Sequence, residues 1–129
     1  MPTTQPLVTL EAARTVVAGA QAHARDNDLP PVTVAVLDAA GQLMAFARED
    51  GSSLLRERIS RGKARGALNL GVGSRCLGAR AAAQPAFINS AVALADGDLV
   101  PAAAGVLVRD NGDDVIGAVG VSDVTNPRT

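Results

Sequence analysis

The segment VTVAVLDAAGQLMAFAR, residues 32–48, consists of two short apolar runs on either side of a tight turn. The first run, residues 32–38, is rich in β-branched side chains, which favour an extended strand. Residues 39–41 end in a glycine and form the connection, and residues 42–48 return as the second strand. Because a connection this short joins neighbouring antiparallel strands, the segment predicts a β-hairpin.

A second hairpin is predicted further along the chain. Residues 103–109 and 114–121 are apolar runs that flank Asp-Asn-Gly-Asp, a composition typical of turns. The last run contains Gly117 and Gly120, although glycine weakens the interior of a strand. Glycine at such positions indicates a close approach of backbone or ligand that a Cβ atom would block.

Amphipathic helices are predicted before and after the first hairpin. Thr9 is the expected N-cap of the first helix, which ends near Asn27 because two prolines follow. Ser52 or Ser53 caps the second, roughly residues 54–70. In the second helix the apolar arc contains Leu55, Ile59, Gly62, Gly66 and Leu70, with Arg58, Arg61 and Arg65 as a solvated stripe nearly opposite. A further helical stretch is expected near residues 74–83, and with two antiparallel hairpins the order predicts an α+β fold.

The composition limits the number of domains and the partners. The 129 residues suit one domain over 1–129, with an extended lead-in at 1–8 and a short tail at 123–129. A formal net charge of −1 and only two aromatic residues exclude the basic and stacking surfaces that bind nucleic acid. No segment reaches the roughly 18 apolar residues of a membrane span, and no secretory signal is recognisable at the N-terminus. We therefore expect neither nucleic acid nor a membrane as a partner.

The single cysteine, Cys76, bears on location and on metal binding. It excludes an intrachain disulfide and has no cysteine or histidine partner at the spacing of a closed zinc site. The prediction is a cytoplasmic protein without a metal site of its own.

Two side chains lie at the edges of the helical apolar arcs. Lys63 borders the arc of the second helix, so its ammonium either extends to solvent or enters a pocket and binds an anionic group. His23, the only histidine, lies beside Val16 at the edge of the first arc. It is either a partly buried, hydrogen-bonded side chain or a functional imidazole, as an axial haem ligand or a general base.

Charged residues follow the first hairpin. Arg48 and Asp50 either form a surface ion pair of small energetic value or shape the rim of a ligand site. Asp38 is expected to accept backbone hydrogen bonds in the turn. No nucleophile–base arrangement is recognisable in the sequence.

The order of these motifs over residues 7–122 resembles the GlcG/HbpS family, which also occurs as the C-terminal domain of PduO-type proteins. The matching positions are Thr9, Leu10 and Ala13, then Asp38 with Gly41, Arg48 with Asp50 and Gly51, Lys63 with Ala64, and VIGAVGVS in the last strand. The resemblance implies a profilin-like α/β/α sandwich with a mainly antiparallel sheet of about five strands. It also implies homo-oligomers and, in several members, haem binding or haem degradation.

The chain departs from that family pattern in three places. Only Gly105 remains of a glycine-rich segment before the penultimate strand, and Asp123 replaces a glycine. The residues after Asp123 replace the usual C-terminal helix, so the fold is expected to lack it. An open apolar sheet surface of this kind tends to be covered by another subunit, and a homo-oligomer is therefore predicted.

Two classes of function stay open, besides a purely structural assembly module. The first is a small-molecule-binding protein, with haem as the ligand that the resemblance implies and no other cofactor. The residues expected at such a cofactor site are His23, Lys63, Gly105 and Gly117. The alternative is a cofactor-independent isomerase, cyclase or lyase acting on a small carboxylate-bearing molecule. Its candidate catalytic residues are His23, Lys63, Arg48 and Asp50, where the lysine and the arginine hold the carboxylate.

Overall fold

The computed structural model describes residues 7–70 and 105–123 of the chain. These residues form two helices and four strands: α1 (Leu10–Asp26), β1 (Val32–Asp38), β2 (Leu43–Arg48), α2 (Leu55–Leu70), β3 (Gly105–Arg109) and β4 (Val115–Asp123). The further helix expected near residues 74–83, together with Cys76, lies outside the described residues. Within these two ranges, neither helix has the length and apolar character needed to cross a membrane.

The four strands form one antiparallel sheet in the order β2-β1-β4-β3. Both predicted hairpins are present, and β4 lies between β3 and the first hairpin. The α+β class and the antiparallel sheet are thereby confirmed. A fifth strand and the absence of a C-terminal helix concern residues outside the described ranges, so both stay predictions.

Side-chain carboxylates close both hairpin turns. Asp38 Oδ1 accepts hydrogen bonds from the backbone nitrogens of Ala40 and Gln42 at 2.9 and 3.0 Å. Gly41 adopts a φ of 85° in this turn, a conformation that glycine takes without steric cost. Asp110 accepts in the same way in the β3–β4 turn. The turn role predicted for Asp38 is confirmed.

The two helices cover opposite faces of the sheet. Val34 and Val36 of β1 pack in one cluster with Val17 of α1, whereas Leu37 packs with Ala64 of α2. Because successive side chains of a strand point to opposite faces, α1 and α2 enclose β1 between them. Every residue of β1 is buried, and the layers are helix, sheet and helix.

The glycines of β4 mark two points of close backbone approach, as the sequence indicated. A Cβ atom on Gly120 would collide with the carbonyl oxygen of Ser60 and lie 3.0 Å from the nitrogen of Ala64, both in α2. A Cβ atom on Gly117 would collide with the carbonyl oxygen of Leu37 in β1. At both positions the space that a side chain would need is filled by the protein itself.

The close approach at Gly120 also sets the rotation of α2, where the expected apolar arc was partly wrong. Leu55 is 59% exposed, and the side buried against the sheet presents Ser60, Ala64 and Ala67. Only small side chains fit where the helix lies against the strand backbone. Arg65, expected on the solvated stripe, instead donates to the carbonyl oxygen of Gly41 at 3.0 Å.

Candidate functional site

Polar side chains cross the α2 face of the sheet at one end of β1. Thr33 is the direct cross-strand neighbour of Arg48 on β2 and of Ser122 on β4. Side chains paired in this way lie side by side, with Cβ atoms about 4.5–5.5 Å apart. Arg56, in the first turn of α2, donates through Nη1 to Ser122 Oγ at 3.2 Å. Arg48 donates through Nη1 to the carbonyl oxygen of Ser52 at 2.7 Å, and these five residues form what we call the polar cluster.

The three hydroxyl residues of the polar cluster are buried, and the cluster is incompletely hydrogen-bonded. Thr33, Ser52 and Ser122 are exposed by 0%, 6% and 1%. Three atoms of the cluster have no hydrogen-bond partner among the residues that the structure describes: Thr33 Oγ1, Ser52 Oγ and Arg56 Nε. Buried polar atoms are nearly always paired, so three unpaired ones in one cluster single it out.

Lys63 lies on the same face of the sheet as the polar cluster. Its ammonium donates to the carbonyl oxygen of Val121 at 3.0 Å, next to Ser122 in the chain. The side chain is partly buried and reaches the sheet rather than extending straight into solvent.

Arg48 and Asp50 line a cleft of about 400 Å³ at the end of the sheet, together with Arg25, Pro31 and Glu49. Glu49 Oε1 accepts from the backbone nitrogen of Val32 at 2.8 Å and lies 3.2 Å from Arg25 Nη2. Within the described ranges no ion pair joins Arg48 to Asp50, although both are exposed. The cleft therefore presents the carboxylate of Glu49, neutralised by Arg25, and separately the guanidinium group of Arg48 and the carboxylate of Asp50.

His23 lies near the end of α1, on the face of the sheet opposite the polar cluster. It is exposed, and its Nδ1 lies 3.3 Å from Nδ2 of Asn27. The same amide nitrogen donates to the carbonyl oxygen of His23 at 2.8 Å, which holds Asn27 against the helix end. The imidazole is thus oriented by a neighbour one helical turn away and open to solvent.

Beside α1, part of the sheet face is uncovered. Val119 and Val121 on β4 are half-buried, and Val106, the neighbour of Val119 on β3, is 59% exposed. We call these three residues the valine strip. They pair across the sheet with residues on the α1 face, but α1 itself packs mainly over β1 and β2.

His23 lies on the flank of α1 that faces away from β2. Arg14 and Gln21 line a groove between α1 and β2, whereas His23 shares the other flank of the helix with Val16. The backbone of Val8, just before α1, bonds to Ile116 at the start of β4, so α1 runs antiparallel to β1. The end of α1 therefore lies level with the Val121 end of β4.

The predicted site residues thus fall into two groups. Arg48 and Asp50 share the cleft, and Arg48 and Lys63 share the α2 face, whereas His23 is on the other face. Gly105 begins β3 as the partner of Gly120, and Gly117 packs against β1 as described above.

Thr33, Arg56 and Ser122 were not predicted as functional residues from the sequence. The available signal was a threonine in an otherwise apolar central strand and a serine at the end of the last one. Groups of three or more histidine, cysteine, aspartate or glutamate residues able to hold a metal ion do not occur in the described ranges.

Solved structures resemble the whole of this fold. Protein ORFY of Klebsiella pneumoniae superposes with a TM-score of 0.82 at 27% identity, covering 97% of this chain and 86% of that one. A double mutant of Streptomyces reticuli HbpS gives a TM-score of 0.79 at 23% identity, covering 97% and 80%. A PduOC complex with haem gives 0.81 at 19% identity, covering 92% and 84%.

Sequence comparison identifies the family. No curated protein matches the chain significantly. The model of the family described as haem degrading protein HbpS-like matches residues 8–127. With nearly the whole length matched and the fold shared, this chain belongs to the HbpS-like family of haem-degrading proteins.

Proposed function

We propose that this protein binds haem, with His23 as an axial ligand and the valine strip as an apolar support. The observation that carries the proposal is an exposed imidazole, held by Asn27, on the same face of the sheet as a half-open apolar strand surface. Membership of the HbpS-like family and the likeness to a PduOC complex with haem support it.

The residues present fit a haem group. Imidazole nitrogen is a common axial ligand of haem iron, and Nε2 is the ring nitrogen of His23 that faces away from Asn27. Ligation through Nε2 requires the ring proton on Nδ1, and the Asn27 amide would then turn its Oδ1 toward that N–H and fix the orientation of the ring. The valine strip supplies aliphatic contact for the macrocycle, and a bound haem would supply a redox-active iron at that surface.

Titration with hemin tests the proposal. We expect a saturable shift of the Soret band in the wild type and a changed position or weaker binding in His23→Ala. Gln21→Ala, on the other flank of α1, is the control and should bind hemin as the wild type does. A featureless, non-saturating titration would remove haem from the function, and an unchanged spectrum in His23→Ala would assign the ligand to another residue.

The alternative function is a cofactor-independent isomerase, cyclase or lyase for a small carboxylate-bearing molecule. It is favoured by Arg48 and Asp50, a cation and an acid that line one cleft without pairing. Lys63, on the α2 face, and His23, on the opposite face, complete the candidate catalytic residues. Failure of the hemin titration would favour this alternative.

The assembly is proposed from the valine strip, and the location from the single cysteine of the sequence. A homo-oligomer that covers the valine strip is the expected assembly, and the cytoplasm is the expected location. Lys63, Gly105 and Gly117, the other residues expected at a cofactor site, stay predictions, and Lys63 lies on the α2 face rather than beside the valine strip.

A further inference from the structure

The polar cluster lies on the opposite face of the sheet from His23 and has a chemistry of its own. Its three unpaired atoms, Thr33 Oγ1, Ser52 Oγ and Arg56 Nε, are all able to donate a hydrogen bond. A group that satisfied all of them would have to be an acceptor with several lone pairs. We propose that the polar cluster binds a small oxyanion, either a carboxylate or a phosphate group.

Charge supports the assignment. In the described part of the chain neither Arg48 nor Arg56 pairs with a carboxylate. Arg48 donates to the carbonyl oxygen of Ser52, and Arg56 donates to Ser122 Oγ. Planar guanidinium groups bind carboxylates and phosphates through parallel N–H donors. Such a site favours a negatively charged ligand, because it combines the two guanidinium groups with the unpaired hydroxyl groups of Thr33 and Ser52.

Among the described residues, the carboxylates near the cluster are engaged elsewhere or lie in solvent. Glu49 is held by Arg25 and by the backbone nitrogen of Val32. Glu57, one residue after Arg56, lies 3.5 Å from Arg61. Asp50 is exposed at the cleft. An oxyanion from solution is therefore the acceptor that fits the unpaired donors.

The cluster adjoins the cleft through Arg48. Arg48 belongs both to the cluster, through Ser52, and to the lining of the cleft of about 400 Å³. The rest of a ligand whose anionic end contacted the cluster would have room in that cleft. Because the sheet separates this site from His23, the proposal does not depend on haem binding.

Isothermal titration calorimetry tests the proposal, with inorganic phosphate and acetate as separate probes against sodium chloride at matched ionic strength. We expect saturable 1:1 binding of at least one probe. Phosphate alone would assign a phosphate group, acetate alone a carboxylate, and both the shared oxyanion chemistry. Absence of saturable binding by either probe up to tens of millimolar would overturn the proposal.

Variants identify the site. Arg56→Gln should weaken binding by about tenfold or more, the loss expected for one charge-assisted hydrogen bond. Arg58→Gln, an exposed arginine of the same helix, makes the same charge change and should bind as the wild type does. Equal affinity in Arg56→Gln and in Arg58→Gln would overturn the assignment of the site.

Thr33→Val separates binding from folding. Replacing the unpaired hydroxyl by a methyl group keeps the volume and should leave the free energy of unfolding unchanged or raised. The affinity for the anion should nevertheless fall severalfold, whereas hemin binding should stay unchanged. An unchanged anion affinity in Thr33→Val would contradict the proposal, even if Arg56→Gln failed to fold.

Discussion

At the scale of single residues, the positions without side chains are among the most constrained. Gly120 packs its backbone against Ser60 and Ala64, whereas Gly19, on the exposed side of α1, has no atom of another group within 4 Å of an added Cβ. Close packing therefore requires glycine at position 120 but not at position 19.

Alanine substitutions test this contrast. Gly120→Ala should lower the free energy of unfolding by about 1–3 kcal/mol or more, because the added methyl collides with helix backbone. Gly19→Ala is the matched control and should raise it by about 0.5–1 kcal/mol, since alanine favours the helix. Urea denaturation measures both. Equal effects of the two substitutions would contradict the close approach.

Single residues also show what the sequence predicted. Asp38 and the two β4 glycines were predictable, because turn chemistry and the cost of glycine in a strand are local properties. The neighbours Thr33 and Ser122 were not, since they meet only through the register of two strands far apart in the chain. Arg56 was missed because its partner depends on how α2 is rotated.

At the scale of elements, α2 is the helix whose apolar pattern predicts the wrong buried side. Its largest apolar residue near the N-terminus, Leu55, is exposed, and its contact with the sheet is made by small residues. The helical periodicity correctly predicted that a helix forms over nearly the right residues. The rotation of α2 is set by its close contact with the backbone at Gly120. The helical periodicity of the sequence carries no information about that contact.

Two substitutions in α2 distinguish the arc predicted from the sequence from the side buried in the structure. Leu55→Ala should change the free energy of unfolding by no more than about 0.5 kcal/mol, because the side chain is mostly exposed. Ala64→Leu should lower it by about 1–3 kcal/mol through overpacking against β4. Thermal and urea unfolding provide the measurements. The reverse order of effects would support the predicted arc.

At the scale of the whole molecule, the two faces of the sheet differ in how they are covered. α2 packs across β1, β3 and β4, whereas α1 covers mainly β1 and β2 and leaves the valine strip half-open. Exposed apolar surface of this kind is commonly a binding surface. Haem and a second copy of the chain are the two occupants expected there.

Assembly is tested in the absence of haem. The wild type should sediment as an oligomer at micromolar concentration, and Val106→Lys should shift it toward the monomer by placing a charge on the strip. Leu54→Lys is the control, because that leucine is 84% exposed before α2 and lies away from the strip. A stable, compact wild-type monomer would contradict the predicted homo-oligomer.

The position of β1 between β2 and β4 also orders the events of folding. Its partner on one side, β2, follows within a few residues, but its partner on the other side, β4, is the last strand described. During synthesis the first hairpin therefore emerges long before β4 does, and β1 meanwhile offers an unpaired, largely apolar edge. Closing that distant pairing is slow, because a long intervening chain loses entropy when its ends meet. Until it closes, the nascent chain exposes the strand edge on which aggregation begins, so the final hairpin acts as the kinetic safeguard of the fold.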